Sequence, residues 1–253
     1  MDLCNDRPFS ELPSRHNVIE FLKELRKDLY PGYFEKIDGD IKTYLAYLHN
    51  RLYQMFLDTI YDCKEAADIF FEKLEEVKKV LKTDIEMTFL SDPACESEDE
   101  IILTYPGLFA ISTYRVSHIL YELKIPIIPR IMTEYAHSKT GIDIHPGATI
   151  GEYFFIDHGT GIFIRETAVI GHHVKIYHGV TLGALSLKKG QSLRGLKRHP
   201  TIGNYVTIYS GASVLGGKTV VGDNSTLGCN VFLVKSVKEN SKVMIKVEIT
   251  ENE

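Results

Sequence analysis

The sequence predicts an α + β-solenoid protein: a helical N-terminal domain followed by a parallel β-helix of hexapeptide repeats. Three observations carry this reading. From Ile142 onward an Ile, Val or Leu, often followed by Gly, returns about every sixth residue: Ile144, Ile150-Gly151, Ile156, Ile164, Ile170-Gly171, Ile176 and Leu182-Gly183, then Ile202-Gly203, Ile208, Val214, Val221-Gly222, Leu227-Gly228 and Leu233. A six-residue period fits neither a helix nor an alternating strand, but it fits a solenoid whose aliphatic side chains fill the core and whose small residues turn the corners. Before Ile142 the apolar residues instead recur at helical spacing.

Taken in order, Val18, Phe21, Leu22 and Leu25 mark a first helix that Pro31-Gly32 ends. Ile41, Tyr44, Leu45, Leu48, Leu52, Phe56 and Ile60 mark a second, and Phe70, Leu74, Val77 and Leu81 a third. Ser91-Asp92-Pro93-Ala94 breaks the pattern, and the acidic run from Glu96 to Glu100 reads as a solvated loop. Val116, Ile119, Leu120 and Leu123 restore the helical period, which Pro126 and Pro129 close. The expected division is 1–138 helical, 139–237 solenoid and 238–253 C-terminal tail. The loop 184–200 is inserted in the solenoid, and Val220-Val221 adds one residue to the repeat.

Composition bounds the function. The chain has 253 residues, 44% of them hydrophobic and 25% charged, which is ordinary globular material. A formal charge of -5 argues against a general nucleic-acid binder. No apolar run is long enough for a membrane span, and the N-terminus lacks a signal-peptide pattern. Cys4, Cys63, Cys95 and Cys229 are widely spaced, so neither a disulfide framework nor a cysteine metal site is expected. A cytoplasmic protein with no metal is the expectation.

Residues that depart from the repeat are the candidates for chemistry. Asp143-Ile144-His145-Pro146 and Ile156-Asp157-His158-Gly159-Thr160-Gly161 place polar groups beside inward-pointing aliphatics, hence at or near corners. Successive coils can bring Asp143 and His158 close together, and a carboxylate beside an imidazole suits a general base. The alternative is a surface Asp–His pair. The insertion carries Lys188, Lys189, Arg194, Lys197 and Arg198, then His199. It reads either as a solvated basic loop or as a site for a phosphate or carboxylate. His172, His173 and His178 raise a rival reading, a trimeric zinc enzyme like the gamma-class carbonic anhydrases. Interface or packing roles are the plainer account of those three.

At these residues the chain resembles the serine O-acetyltransferases of the hexapeptide acyltransferase superfamily. The resemblance rests on Asp92-Pro93-Ala94, Tyr114-Arg115, Asp143 to Ala148, Asp157 to Gly161, Glu166-Thr167, Gly179 to Gly183 and Arg198-His199-Pro200. It implies a left-handed β-helix, a homotrimer or a hexamer built from two trimers, and acetyl transfer from acetyl-CoA to L-serine in cysteine biosynthesis. By the same resemblance His158 is the base oriented by Asp143. Asp92 and Asp157 hold the serine amino group, Arg198 holds its carboxylate, and His199 completes the site. Acetyl-CoA would follow Gly183, Ala184, Ser210, Thr226 and Cys229 along the solenoid edge between neighbouring chains. A sugar or amine acetyltransferase, and a non-catalytic trimeric scaffold, are the remaining alternatives.

Three positions differ from the family pattern. Arg165 stands where a glycine is usual, Ala184 replaces the second glycine of a Gly-Gly pair, and the chain ends in Glu251-Asn252-Glu253. The family's tail ends in Ile and inserts into O-acetylserine sulfhydrylase. The acidic ending here argues against that complex.

Overall fold

The structure is a computed structural model that describes residues 12–35, 37, 39–57 and 64–246. Ile60, Cys4, Cys63 and the tail residues 247–253 lie outside the described residues. Among the described residues six helices precede the solenoid: α1 (Arg15–Leu29), α2 (Ile41–Leu57), α3 (Lys64–Ser91), α4 (Glu98–Thr104), α5 (Pro106–Glu122) and α6 (Ile128–Thr140). Ser14 caps α1 by accepting from the Asn17 amide, and the helix buries Val18, Phe21, Leu22 and Leu25 as its spacing predicts. No helix among the described residues is long and apolar enough to cross a membrane.

Two elements differ from the sequence expectation. The acidic run is not a loop but the start of α4. Ser97 caps the Glu100 amide, and Glu100 reaches back to the Glu96 amide, while Glu98, Asp99 and Glu100 sit in the first turn. Negative charge there complements the helix dipole, so residues that look like a solvated run stabilise a helix start. Helix α5 ends before Pro126 as expected, but a further helix follows at once. Pro129 opens α6, where a missing amide hydrogen costs nothing. Gly141 then ends α6 in the left-handed conformation, its amide donating to the His137 carbonyl.

The solenoid has three faces, each a parallel sheet. Face A stacks β1 (Asp143–Ile144), β4 (Phe163–Ile164), β7 (Thr181–Gly183), β10 (Ser213–Leu215) and β13 (Phe232–Leu233). Face B stacks β2 (Thr149–Ile150), β5 (Val169–Ile170), β8 (Thr201–Ile202) and β11 (Val220–Val221). Face C stacks β3 (Phe155–Asp157), β6 (Lys175–Tyr177), β9 (Thr207–Ile208), β12 (Thr226–Leu227) and β14 (Lys242–Val243). Register puts Ile144, Ile164, Leu182 and Val214 in one internal column. The repeat aliphatics of faces B and C form two more, and the columns are buried. Each coil returns the chain to the same face, so every corner column collects residues from successive coils.

Helix α5 is the wedge between the helices and the solenoid. It packs on α3 and α6 on one side and on β1 and β3 on the other, which explains why it is buried nearly all round. Gly107 makes the close approach possible: a β-carbon there would lie 3.0 Å from the Ile156 carbonyl oxygen. Arg115 of α5 clamps the three parts. Its Nε and Nη2 donate to Asp84 of α3 at 2.6 and 2.9 Å. Its Nη1 and Nη2 donate to the Ile150 and Gly151 carbonyls at 3.2 and 2.8 Å. Asp84 also accepts from the Phe154 amide at 2.9 Å. Both side chains are buried, so removing one partner strands a charge away from water. Asp84→Leu is expected to lose about 3–5 kcal/mol in urea unfolding. The double variant Asp84→Leu/Arg115→Met is expected to lose less than the two single variants together, and simple additivity would contradict the clamp.

Candidate active site

The polar residues that break the repeat collect at two different corners. At the C/A corner β3 ends in Asp157 and the chain turns through His158, whose φ is +53°. A non-glycine residue in the left-handed region is uncommon and costs backbone energy. Gly159 follows at φ +93°, and a side chain there would run into Ile142 and Ile156. The turn throws the His158 ring outward, with its side chain 79% exposed, and Nε2 lies 3.8 Å from Asp157 Oδ1. The His178 ring stands edge-on at 6.1 Å, one coil further along.

The helical part supplies the next group. Asp92, directly after α3, faces the same corner. Its Oδ1 accepts from the Ala94 amide at 2.9 Å and its Oδ2 from the Tyr105 hydroxyl at 2.6 Å. The Tyr105 hydrogen bond, the Ala94 amide and the nearby His158 hold the Asp92 carboxyl below its ordinary range. Burial and the same Asp92 contact push the Tyr105 phenol up, so it stays a donor. The C/A corner therefore presents an exposed imidazole beside two carboxylates from opposite halves of the chain. Tyr105 is marked by no local sequence pattern, and His178 stands out in the sequence only with His172 and His173. Both act through contacts between segments distant in sequence or on successive coils.

The A/B corner carries the second group. The loop 184–200 leaves β7 there and returns through Arg198-His199 to β8. The Arg198 guanidinium donates to Glu166 through Nη2, and to the Leu193 and Leu196 carbonyls at 3.3 Å each. Burial opposes the charge on Glu166, but hydrogen bonds from Arg198 and Tyr121 bring its carboxyl below the usual range. His199 is 2% exposed. Its Nδ1 accepts from the Thr167 amide at 3.0 Å and the Thr167 hydroxyl lies 2.8 Å away, which leaves the proton on Nε2. Burial and the cations Arg198 and Arg165 push His199 down to about 4. His145 is similar: its Nδ1 accepts from the Gly147 amide, and burial and Arg130 push it down to about 4. The Lys197 ammonium donates to the Thr167 and Pro200 carbonyls at 2.7 and 3.0 Å, although the residue is exposed like Lys188, Lys189 and Arg194.

Asp143 lies on face A between these corners. It is 5% exposed, Oδ1 has no hydrogen-bond partner, and Oδ2 is 3.6 Å from Arg165 Nη1. Within one chain it makes no recorded contact with His158. Its close neighbours are Glu134 and His137 of α6, each with one ligand-type atom within 4.8 Å of the others. Arg130 and Arg165 already supply positive charge to that cluster. The remaining histidines divide: His172 and His173 touch through their Nδ1 atoms at 2.9 Å on the B/C corner, whereas His178 is on C/A.

The residues expected along the acetyl-CoA track are distributed as follows. Ser210 and Cys229 touch at 3.4 Å and continue the His158, His178 column along the C/A edge. Thr226 lies beside them on face C. Gly183 and Ala184 stand instead at the mouth of the inserted loop. Among the described residues Cys95 and Cys229 are free thiols.

Known proteins match this architecture. The plasmid serine acetyltransferase of Synechococcus elongatus is 40% identical over 261 residues, covering 92% of this chain and 82% of that protein. The chain belongs to the serine acetyltransferases. The Bacillus subtilis serine acetyltransferase is 45% identical over 166 residues, covering 66% of this chain and 73% of its own length. Among solved structures, serine acetyltransferase 1 of Entamoeba histolytica in complex with L-cysteine is 38% identical. It superposes with a TM-score of 0.80, covering 95% of this chain and 88% of that one. No protein-family model matches the chain. As a serine acetyltransferase the chain is an acyltransferase, and its helices-plus-solenoid architecture is that of its solved relatives.

The two buried imidazoles give this serine acetyltransferase an acid-sensitive corner. Their folded values near 4 lie below the ordinary histidine value of 6.5, so the unfolded chain binds more protons between those limits. Their stabilising contribution is complete above about pH 6.5 and is lost as pH falls toward 4. Urea midpoints are expected to drop between pH 7 and pH 5, and to drop less in His199→Gln. An equal drop in that variant would remove His199 from the effect.

Proposed function

We propose that the chain transfers the acetyl group of acetyl-CoA to the hydroxyl of L-serine, with His158 as general base. The observation that carries this reading is the C/A corner. There an exposed imidazole with a strained backbone stands beside Asp92 and Asp157, two carboxylates suited to a substrate ammonium. His158 takes the hydroxyl proton as the serine oxygen attacks the thioester carbonyl, and returns it to the departing CoA thiolate. Asp143, with a free oxygen, stabilises the imidazolium formed in between. Holding both ends of a zwitterion lets the site reject an alcohol that lacks either charge.

Arg198 and His199 lie at the A/B corner and His158 at the C/A corner, with face A between them. A homotrimer brings them together, the A/B corner of one chain meeting the C/A corner of the next in a closed ring. Arg198, braced by Glu166, then receives the serine carboxylate, and the Nε2–H of His199 adds a donor. The pantetheine arm of acetyl-CoA follows the C/A edge from His158 toward Ser210 and Cys229. That path is three coil steps, roughly 14 Å at about 4.8 Å each. L-Cysteine, bound in the Entamoeba relative, differs from serine by a single atom and is read as a competitor for the same site.

His158→Ala is expected to lower kcat by about 10²- to 10⁴-fold while leaving the oligomer intact by light scattering. Wild-type turnover in that variant would falsify the assignment of the base. Arg198→Ala is expected to raise KM for serine far more than KM for acetyl-CoA, and equal effects would contradict a carboxylate role. Unfolding and refolding His158→Ala and Arg198→Ala chains together is expected to restore part of the activity. Each hybrid oligomer then holds sites that take His158 from one chain and Arg198 from the other. A mixture as inactive as its parents would rule out the shared site.

A further inference from the structure

Arg165 takes no catalytic or substrate-binding role in the proposed reaction, yet its surroundings are specific. It follows β4, and strand register places it beside His145, two positions after the Asp143 and Phe163 pair. Its guanidinium lies over the Phe163 ring, 4.5 Å from the centroid, and Nη1 points at Asp143 Oδ2 from 3.6 Å. That distance is too long for a hydrogen bond and close enough for a strong charge interaction. The stacking on Phe163 fixes a long side chain that is otherwise a third exposed.

The charged groups facing Asp143 can be counted by element. From α6 come Arg130, Glu134 and His137; from the corner after β4 comes Arg165. Arg130 and His137 both contact Glu134. His137 and Arg130 also act on Asp143, but among the described residues Arg165 is the cation that pairs with it within 4 Å. Burial and Glu134 push the Asp143 carboxyl up, while His137, Arg130 and Arg165 pull it down. Arg165 touches only Oδ2, and the buried Oδ1 keeps its lone pairs unused.

We propose that Arg165 is a positioning residue: it is the counter-ion that keeps the buried Asp143 carboxylate charged on one oxygen while leaving the other free for the His158 imidazole. The inference rests on the reading of Asp143 and His158 as the base and its support. Arg165 binds neither substrate. Without its cation a dry carboxylate takes up a proton at higher pH, which removes the support and raises the pH at which the active form appears.

The test is the pH profile of kcat/KM for serine in the full-length oligomer. Arg165→Met is expected to move the acidic limb upward by about half a pH unit or more, and Arg165→Lys to stay close to wild type. On the alkaline plateau the serine KM of Arg165→Met should change less than about twofold. Phe163→Leu, which frees the guanidinium without removing it, is expected to move the limb in the same direction by less. It also provides a second reading should Arg165→Met assemble poorly. An unmoved limb in both variants overturns the proposal. So does a plateau KM for serine that rises severalfold with the limb in place, since that describes a direct substrate contact. His158→Ala separates the two levels. If it stays active, the base assignment fails. If it is inactive and the Arg165→Met limb does not move, only the counter-ion role fails.

Discussion

The bidentate pair between Arg115 and Asp84 is the contact on which the arrangement of the site depends. A parallel solenoid can stack its coils without help, and the helices could form their own core. What neither half can do alone is hold Asp92 against the C/A corner. Asp84 lies eight residues before Asp92, roughly 12 Å along α3. Fixing Asp84 to Arg115 and to the Phe154 amide fixes the height of that helix on the first coil. The Thr83 hydroxyl, accepting from the Tyr153 amide, and the Tyr114 hydroxyl, donating to the Ala148 carbonyl, repeat the same link one residue before Asp84 and Arg115. Asp92 emerges from α3 already aimed, and Tyr105 holds its carboxylate in one orientation.

The scaffold and the chemistry were legible in the sequence to different degrees. The six-residue recurrence marked the core columns because each aliphatic position has only one place to go, inward. The helical spacing of α1, α3 and α5 worked for the same reason. The start of α4 was hidden because Glu98, Asp99 and Glu100 look like solvated charge until the cap at Ser97 gives them a helix end. Asp157 and His158 stood out as interruptions of a periodic pattern. Tyr105, Tyr121 and Glu166 did not, since each matters through a partner far away in sequence. The splitting of the polar groups between two corners follows from counting faces, which local spacing alone does not reveal.

The two corners also differ in how they hold charge. At A/B the carboxylate of Glu166 and the guanidinium of Arg198 are already paired, and two imidazoles are kept neutral by burial and by nearby cations. The groups are rigid and their protonation is settled before a ligand arrives, which limits reorganisation when charge moves. At C/A the imidazole is open to solvent. In the proposed reaction, a receptor for the serine carboxylate and an acceptor for the hydroxyl proton are separate tasks, and they would fall on separate edges.

The inserted loop has a consequence for how such a protein can change. Strand β7 pairs with β10 as though nothing intervened, Leu182 opposite Val214. The loop 184–200 replaces a corner that the first coil makes with 145–148, and the stacking continues beneath it. Closing a longer excursion costs only about 0.6 kcal/mol for each doubling of length. Lengthening, shortening or recomposing the segment is therefore cheap as long as its two ends stay on their coils. Ligand preference can drift by insertion and deletion while the stability reserve of the prism is left intact.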